Sequence, residues 1–284
     1  MKLITYRLNG KEHVGALTAD GTAVAPLPYP DMNTLIETAS LEDLRAAAAA
    51  AETIPMDHVE LLAPIPRPRQ DVVCLGMNYL DHAREAAHYN AEAFEKAKPV
   101  AVYFSKRVTE AVAPEGTIER HEDLVERLDY ESELAVILGK TARNIRGEEA
   151  GNYIFGYTIL NDVSARDVQT GHKQWYFGKS LDGFTPMGPC IVTADEITFP
   201  PALEISAAVN GEMRQHSNTS LFITSIGEAL EELTAGMTLL PGTILSTGTP
   251  AGVGMGFDPP KFLKSGDVVE CTIEGIGTLR NTVR

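Results

Sequence analysis

From position 71 onward the sequence consists of short apolar runs separated by turn residues, and this pattern limits the possible folds more than any other feature. The runs are rich in β-branched and aromatic residues, as is typical of strands: VAVYFSK, DYESELAVIL, GYTILNDV, GPCIVTA, LEISAAVNGE, TILSTG and DVVECTIEGIGTLRNTV. In the second half, only SIGEALEELTA predicts a clear helix. Since helices do not follow each strand, a Rossmann fold or a TIM barrel is disfavoured. We expect an α+β, β-rich fold with a mixed or antiparallel sheet.

The first 65 residues predict a small α+β domain of their own. The stretches KLITYRL and HVGALTA indicate strands on either side of the turn NGKE, and MNTLIETA and LEDLRAAAAAAETI indicate helices. The segment APIPRPRQ, 63–70, is rich in proline, which removes a backbone donor and fixes φ at each occurrence. We therefore predict a boundary between an N-terminal domain, 1–65, and a larger domain, 70–284.

Composition excludes several function classes. The 284 residues carry 39 acidic against 24 basic side chains, a net charge of −15, so we expect no nucleic-acid partner. No apolar run approaches the roughly 20 residues of a membrane helix, and the start MKLITYRLNGKEHVG lacks the apolar core of a signal peptide. We therefore expect no membrane partner and a cytoplasmic location. The three cysteines are far apart, which favours reduced structural thiols.

Two glutamates within one strand-like run suggest a cation site. Glu131 and Glu133 are two residues apart, so their side chains leave the strand on one face. Asp162 ends another apolar run and could point to the same spot. Converging carboxylates repel one another unless a cation lies among them, and oxygen ligands suit Mg²⁺, Mn²⁺ or Ca²⁺ better than Zn²⁺. Such glutamate pairs also line solvated strand faces, but the apolar flank and Asp162 favour a metal site.

Six sequence blocks in order closely resemble the fumarylacetoacetate hydrolase superfamily: LDYESELAVILGK, GYTILNDVSARDVQ, WYFGKSLDGFTPMGP, VNGEMRQHSNTS, LLPGTILSTGTPAGVG and GDVVECTIEGIGTLRN. The resemblance runs from about Asp71 to Arg284. It implies a mixed β-roll catalytic domain, a homodimer and a divalent metal, Mg²⁺ or alternatively Mn²⁺ or Ca²⁺. It further implies that Glu131, Glu133 and Asp162 are the metal ligands.

Some members of this superfamily add an aspartate ligand from the loop after the first strand of the domain. Here that stretch reads GMNYLDH, with Met77 and Asn78 near the equivalent place. We therefore expect three protein ligands, with water completing the shell. This departure places the chain with the smaller acylpyruvase-like and diketo-acid members.

A histidine and a glutamate could form a catalytic pair. His82 and Glu85 are three residues apart, which brings them to one helix face, where a carboxylate orients an imidazole and raises its basicity. A lone histidine on a helix surface is the alternative. In the acylpyruvase-like members a His-x-x-Glu pair on a lid activates water, and HARE, 82–85, matches that pattern. The lid would lie within 84–104.

The resemblance also implies substrate contacts. The lysine matching Lys179 points at the substrate near the metal, where its ammonium group would stabilise an enolate. Gln169 and Thr249 match positions that donate or accept hydrogen bonds with the substrate, and we expect Tyr79 to line the pocket. Two further cations have different expectations: Lys106 follows a strand and could meet an acidic substrate, whereas Arg166 is expected to pair with a nearby acid.

These residues predict a metal-dependent hydrolase that cleaves a C–C bond of a small-molecule 2,4-diketo acid, releasing a 2-oxo acid and a carboxylic acid. The alternative is an isomerase or decarboxylase acting through a metal-bound enolate, because superfamily members with these activities share the motifs. A different class also remains open, a metal-binding structural or regulatory protein with a decayed site, which predicts no turnover of any acylpyruvate.

Overall fold

The structure is a computed structural model that describes residues 1–87 and 100–284. The strands in these ranges are β1 Lys2–Leu8, β2 Lys11–Leu17, β3 Ala23–Pro26, β4 Ile54–Pro55, β5 Glu60–Leu61, β6 Val72–Gly76, β7 Val102–Lys106, β8 Thr117–Ile118, β9 Leu128–Asp129, β10 Ser132–Leu138, β11 Ile154–Asn161, β12 Ser164–Ala165, β13 Met187–Thr193, β14 Glu204–Val209, β15 Glu212–Asn218, β16 Ile244–Ser246, β17 Val268–Ile273 and β18 Gly277–Val283.

The α-helices of the described ranges are α1 Met32–Thr38, α2 Leu41–Ala50, α3 Leu80–Ala87, α4 Arg166–Gly171, α5 Tyr176–Lys179 and α6 Ile226–Gly236. Helix α6 confirms the helix predicted in the second half. Its start is fixed by a capping box, in which Ser225 accepts from the amide of Glu228 and the Glu228 carboxylate accepts from the amide of Ser225. The predicted lid, 84–104, includes residues 88–99, which lie outside the described residues.

A large mixed sheet forms the centre of the fold. Its strand order is β4-β3-β2-β1-β13-β11-β10-β16-β6-β7, with β5 paired to β1. Strands β16 and β6 are parallel, and the other pairs of this sheet are antiparallel. A second sheet has the order β15-β14-β17-β18-β8, and β9 pairs with β12. The predicted α+β, β-rich fold class is confirmed.

The N-terminal strands continue the large sheet. Strand β1 pairs antiparallel with β13, and Lys2 lies opposite Val192. The first half of the proline-rich segment also packs inside the protein, since the hydroxyl of Thr5 donates to the carbonyl of Pro64 over 2.7 Å and Ile65 is fully buried. Strands from both predicted units, 1–65 and 70–284, therefore belong to one hydrogen-bonded sheet. The division into two domains stays a prediction.

Strand β10 is buried on both faces, which explains its continuous apolar sequence. Leu134, Val136 and Leu138 pack into one core cluster, whereas Ala135 and Ile137 pack into a second cluster on the opposite face. The strand is thus packed on both faces, which fixes the direction of the side chains at its start. All three cysteines are free and buried, as expected. No helix of the described ranges is long and apolar enough to cross a membrane.

Candidate active site

The first part of the site is a buried group of three carboxylates. Glu131 immediately precedes β10, Glu133 is its second residue, and Asp162 immediately follows β11. These strands pair antiparallel with Ser132 opposite Asn161, so the start of one lies beside the end of the other. Ligand atoms of the three carboxylates therefore lie within 4.8 Å of one another, and all three residues are buried. This carboxylate triad could bind a divalent metal ion.

The charge on Glu133 is not balanced by an ion pair with any residue in the described part of the chain. One of its oxygens accepts from the hydroxyl of Ser246 over 2.5 Å and from the amide of Gly248 over 2.9 Å. Burial, together with the neighbouring charges of Asp162 and Glu131, raises the pKa of Glu133 well above its usual range. A divalent cation would relieve this repulsion, so the oxygen-only donor set fits such an ion.

Lys179, at the end of α5, pairs with the other two carboxylates. Its ammonium nitrogen lies 2.8 Å from Glu131 Oε2 and 2.7 Å from Asp162 Oδ2. Burial opposes the charged form, but the charges of Asp162 and Glu131 raise the pKa of Lys179 to about 12. For Glu131, burial is likewise outweighed by Lys179 and Arg166, which hold its pKa below the usual range. Glu131 and Lys179 are therefore both held in their charged forms.

Lys106 is a buried lysine that contacts Asp162 of the carboxylate triad. Its ammonium nitrogen donates to Asp162 Oδ1 over 2.7 Å and to the carbonyls of Val163 and Lys179 over 3.0 Å and 2.5 Å. The side chain has no exposed surface, and burial lowers its pKa. Lys106 therefore pairs with the carboxylate of Asp162. Lys106 is not among the described residues of the cavity wall.

A cavity of about 280 Å³ brings most of the predicted residues together. The predicted site residues in its wall are His82, Glu85, Glu131, Glu133, Gln169, Lys179 and Thr249. Sequence reasoning did not assign the other residues of the wall to the site, namely Leu75, Gly76, Met77, Phe104, Arg166, Thr170, Trp175, Val253 and Met255. Asp162 lies behind this surface with no exposed area.

The predicted catalytic pair is formed within α3. Nδ1 of His82 lies 3.1 Å from Glu85 Oε2, while Glu85 Oε1 accepts from the amide of Gly252 over 3.0 Å. Nε2 of His82 makes no hydrogen bond with a described residue and is left for a ligand in the cavity. Gly252 has φ of +100°, and a Cβ there would lie 1.8 Å from the carbonyl oxygen of Arg214. Only glycine therefore fits where the loop meets Glu85.

Gln169 and Thr249 reach the cavity but also bond to the protein. Gln169 Oε1 accepts from Arg166 Nη1 over 3.1 Å. The hydroxyl of Thr249 accepts from Gln215 Nε2 over 2.8 Å and donates to the carbonyl of Ser132 over 2.9 Å. Thr249 therefore holds the loop after β16 against the start of β10, and the substrate roles of both residues stay predictions.

The structure does not bring Tyr79 to the cavity wall. The Tyr79 side chain is 2% exposed and its ring packs edge to face with Phe222, the centroids 5.1 Å apart. Its neighbour Asn78 donates to the carbonyls of Thr224 and Thr247 over 3.0 Å and 2.8 Å. Asn78 is thus a structural bridge, whereas Met77 lies in the cavity wall.

Arg166 was expected to pair with a nearby acid, and it does so inside the cavity wall. Its Nε lies 2.9 Å from Asp129 Oδ2, and its Nη1 lies 2.7 Å from Glu131 Oε1. Nη2 is buried and has no hydrogen-bond partner among the described residues. The three-residue spacing from Gln169, which places both on one face of α4, is the sequence signal that could have indicated a site residue.

Asp129 is a positioning residue that the sequence reasoning missed. Besides Arg166, its carboxylate accepts from the amides of Tyr130, Gly254 and Met255 over 3.0, 2.6 and 3.0 Å. It therefore ties the Arg166 guanidinium to the loop that carries two residues of the cavity wall. The available signal was the alternation in DYESE, where three acids occupy every second position.

Substituting Asp129 by asparagine is expected to lower the free energy of unfolding by about 3 kcal/mol. In either orientation the new amide NH₂ group faces two N–H donors that an oxygen accepts in the native chain. Urea denaturation of the purified chain measures the change. Asp123→Asn, at an exposed position, is the matched control and should shift the value by less than about 0.5 kcal/mol. Equal stability of the two variants would contradict the role given to Asp129.

Comparison with known proteins identifies the family. The family model of the fumarylacetoacetate (FAA) hydrolase C-terminal domain matches residues 71–284. An oxaloacetate tautomerase from Bacillus subtilis is 46% identical over 228 residues, which cover 80% of this chain and 74% of that protein. The solved structure of a fumarylacetoacetate hydrolase from psychrophilic Exiguobacterium antarcticum is 40% identical with a TM-score of 0.88, covering 100% of this chain and 99% of the other. A 2-hydroxyhepta-2,4-diene-1,7-dioate isomerase from Mycobacterium marinum is 32% identical with a TM-score of 0.75, covering 100% and 98%. The chain therefore belongs to the fumarylacetoacetate hydrolase superfamily and is an enzyme of that superfamily.

Proposed function

We propose that this enzyme catalyses the keto–enol tautomerisation of a small 2-oxo acid of the oxaloacetate class. The observation that carries the proposal is that the His82–Glu85 pair lines the same small cavity as Glu131 and Glu133, with Asp162 buried beside these two glutamates. Tautomerisation needs one proton-transferring group beside a centre that stabilises an enolate. The 46% identity with an oxaloacetate tautomerase supports this choice over the other reactions of the superfamily.

The protein's own residues account for the proton transfers. With Nδ1 held by Glu85, Nε2 of His82 can take the proton from the enol hydroxyl and deliver a proton to C3. The O–H bond and the C2=C3 double bond are thereby replaced by a 2-oxo group and a C3–H bond. Between these transfers, the ammonium group of Lys179 and the guanidinium of Arg166 offset the negative charge of the enolate.

A divalent ion held by Glu131, Glu133 and Asp162 would act as a Lewis acid on the 2-oxo group and orient the substrate. Mg²⁺ and Mn²⁺ are the ions we propose, because both accept an all-oxygen ligand set and leave positions for substrate and water.

Hydrolysis of an acylpyruvate is the second candidate, because a histidine oriented by a carboxylate is also suited to removing a proton from water. The hydroxide would attack the distal carbonyl of a 2,4-diketo acid, the C3–C4 bond would break, and protonation of C3 would complete a 2-oxo acid beside a carboxylic acid. The 40% identity with a fumarylacetoacetate hydrolase supports this second candidate.

A substrate panel separates these reactions. Chelator-treated enzyme with added Mg²⁺ or Mn²⁺ would be mixed with enol-oxaloacetate, acetylpyruvate and fumarylpyruvate, and the products followed by ultraviolet absorbance and proton NMR. We expect rapid loss of the oxaloacetate enol signal without matching release of pyruvate. Release of pyruvate and acetate from acetylpyruvate at a higher kcat/KM would favour the hydrolase, and release of pyruvate from oxaloacetate would indicate a decarboxylase.

The assembly is also a proposal. We propose a homodimer, which the superfamily resemblance implies and which light scattering of the purified chain would test. A mass equal to that of one chain across the assay concentrations would exclude the dimer as the working form.

A further inference from the structure

The cavity wall beyond Lys179 is built of two aromatic rings in series. The Phe104 ring centroid lies 5.2 Å from the ammonium nitrogen of Lys179. The Trp175 ring packs edge to face on Phe104, with 5.3 Å between the centroids. Both residues line the cavity. Phe104 therefore lies against both the ammonium group of Lys179 and the indole of Trp175.

Gly76 leaves room for the indole of Trp175 because it has no side chain. A Cβ at Gly76 would lie 2.5 Å from Cζ3 of Trp175, too close for a stable contact, and 3.0 Å from its Cη2. The ring thus rests directly on the backbone at the end of β6, where any side chain would push it away. Because Phe104 lies on β7, the strand paired with β6, the two rings have a firm base in the large sheet.

The described lining offers a charged substrate tail no lysine or arginine that is not already paired with a carboxylate. Arg166 and Lys179 are the cationic residues that the described lining contains, and both are tied to the carboxylates. The indole nitrogen of Trp175 makes no hydrogen bond with a described residue. The tail of a bound 2-oxo acid would therefore be selected by its length and shape.

We propose that Trp175 is a specificity-determining residue that sets the greatest tail length the site accepts, restricting the enzyme to short 2-oxo acids. This inference rests on the proposed function, since it assumes that the 2-oxo carboxylate end binds beside Lys179. The volume of about 280 Å³ lies at the lower limit of small-molecule sites, as a short substrate requires. The indole forms part of the wall of this small cavity.

Two substitutions should change the preference in opposite directions. Trp175→Ala removes the ring. The ratio of kcat/KM for tautomerisation of 2,4-dioxooctanoate to that of acetylpyruvate, which is three methylenes shorter, should therefore rise by at least about tenfold, the smallest effect expected of one methylene in an apolar pocket. Gly76→Ala adds a methyl group to the cavity wall against the indole and reduces the space there, so the same ratio should fall. Tyr176→Ala is the matched control, since Tyr176 is a 41% exposed neighbour outside the described lining.

Ratios within about twofold of wild type in both variants would overturn the inference, whatever their absolute rates. Since the ratio compares two substrates in one protein preparation, partial loss of folded protein does not affect it. If wild-type enzyme acts on no 2-oxo acid at all, the proposed function fails. If wild-type enzyme is active and the ratios do not move, this inference alone fails.

A second measurement needs no turnover. Trp175 is the single tryptophan of the chain, so the protein's tryptophan emission reports on this wall alone. Titration with 2-oxobutanoate, 2-oxohexanoate and 2-oxooctanoate should change the emission at saturation more strongly as the tail lengthens. Oxalate, which has no tail, should bind with little change. Equal changes for all four compounds, or none where calorimetry shows binding, would contradict contact between the tail and Trp175.

Discussion

Replacing Glu133 by glutamine is expected to abolish divalent-metal binding and to leave the metal-free chain at least as stable as wild type. The Glu133 carboxylate is buried without an ion pair to a described residue and is repelled by Asp162 and Glu131. Both of its hydrogen bonds, from Ser246 and Gly248, go to one oxygen, which a glutamine can supply. The substitution thus removes an uncompensated charge and keeps the packing. Loss of the ion should lower kcat/KM by at least about 10³-fold.

Asp162→Asn is the informative partner for that experiment. It should also abolish metal binding, but here the two oxygens accept from two buried ammonium groups, Lys106 and Lys179. Breaking such buried pairs costs about 3–5 kcal/mol, so this variant should be much less stable. Calorimetric titration with Mn²⁺ and urea denaturation in chelator measure the two properties. Tight Mn²⁺ binding by Glu133→Gln, or equal stability of the two variants, would contradict this account of the carboxylates.

The second large effect is expected at Glu85. In Glu85→Gln the side-chain oxygen can still accept from Gly252, which leaves the amide NH₂ to donate to Nδ1 of His82. That hydrogen bond places the imidazole proton on Nε2, the atom that must accept a proton from the substrate. The kcat should therefore fall by about 10²–10⁴-fold, as for loss of a general base, with a smaller change in KM.

The control for Glu85 lies on the same helix. Asp81→Asn changes an exposed carboxylate of α3 that pairs with Arg84 at the surface, and it should leave the kinetics within about twofold of wild type. His82→Ala should match Glu85→Gln, because the two residues act as one unit. Full activity of Glu85→Gln together with altered activity of Asp81→Asn would show that His82 and Glu85 do not carry out the proton transfer.

The central strands and the carboxylate triad could be predicted because both depend on local pattern. Strand β10 is apolar at every position that contacts either core, and side chains two apart on a strand share a face. Because β10 pairs antiparallel with β11, Asp162 at the end of the second apolar run lies beside the two glutamates at the start of the first. The pair of His82 and Glu85 followed in the same way, from spacing on a helix.

The remaining parts of the site depend on contacts between distant segments, which spacing does not reveal. The indole of Trp175 is placed by Gly76, which lies on a strand in another part of the chain. Tyr79 follows the predicted turn, yet its ring packs on Phe222 and it is not among the described residues of the cavity wall. Likewise, the pairing of β1 with β13 joins the N-terminal segment to the large sheet, and no local signal in either strand indicates its partner.

The most direct test of the central claim is the rate at which enol-oxaloacetate is converted to the keto form, measured by stopped-flow absorbance in chelator-treated enzyme before and after addition of Mn²⁺. The account predicts acceleration over the buffer rate only after Mn²⁺ is added, and loss of that acceleration in Glu133→Gln. Glu148→Gln changes an exposed glutamate outside the described residues of the cavity wall, and this variant should behave as wild type. Acceleration that persists in chelator and in Glu133→Gln would contradict a metal-assisted reaction at the carboxylate triad.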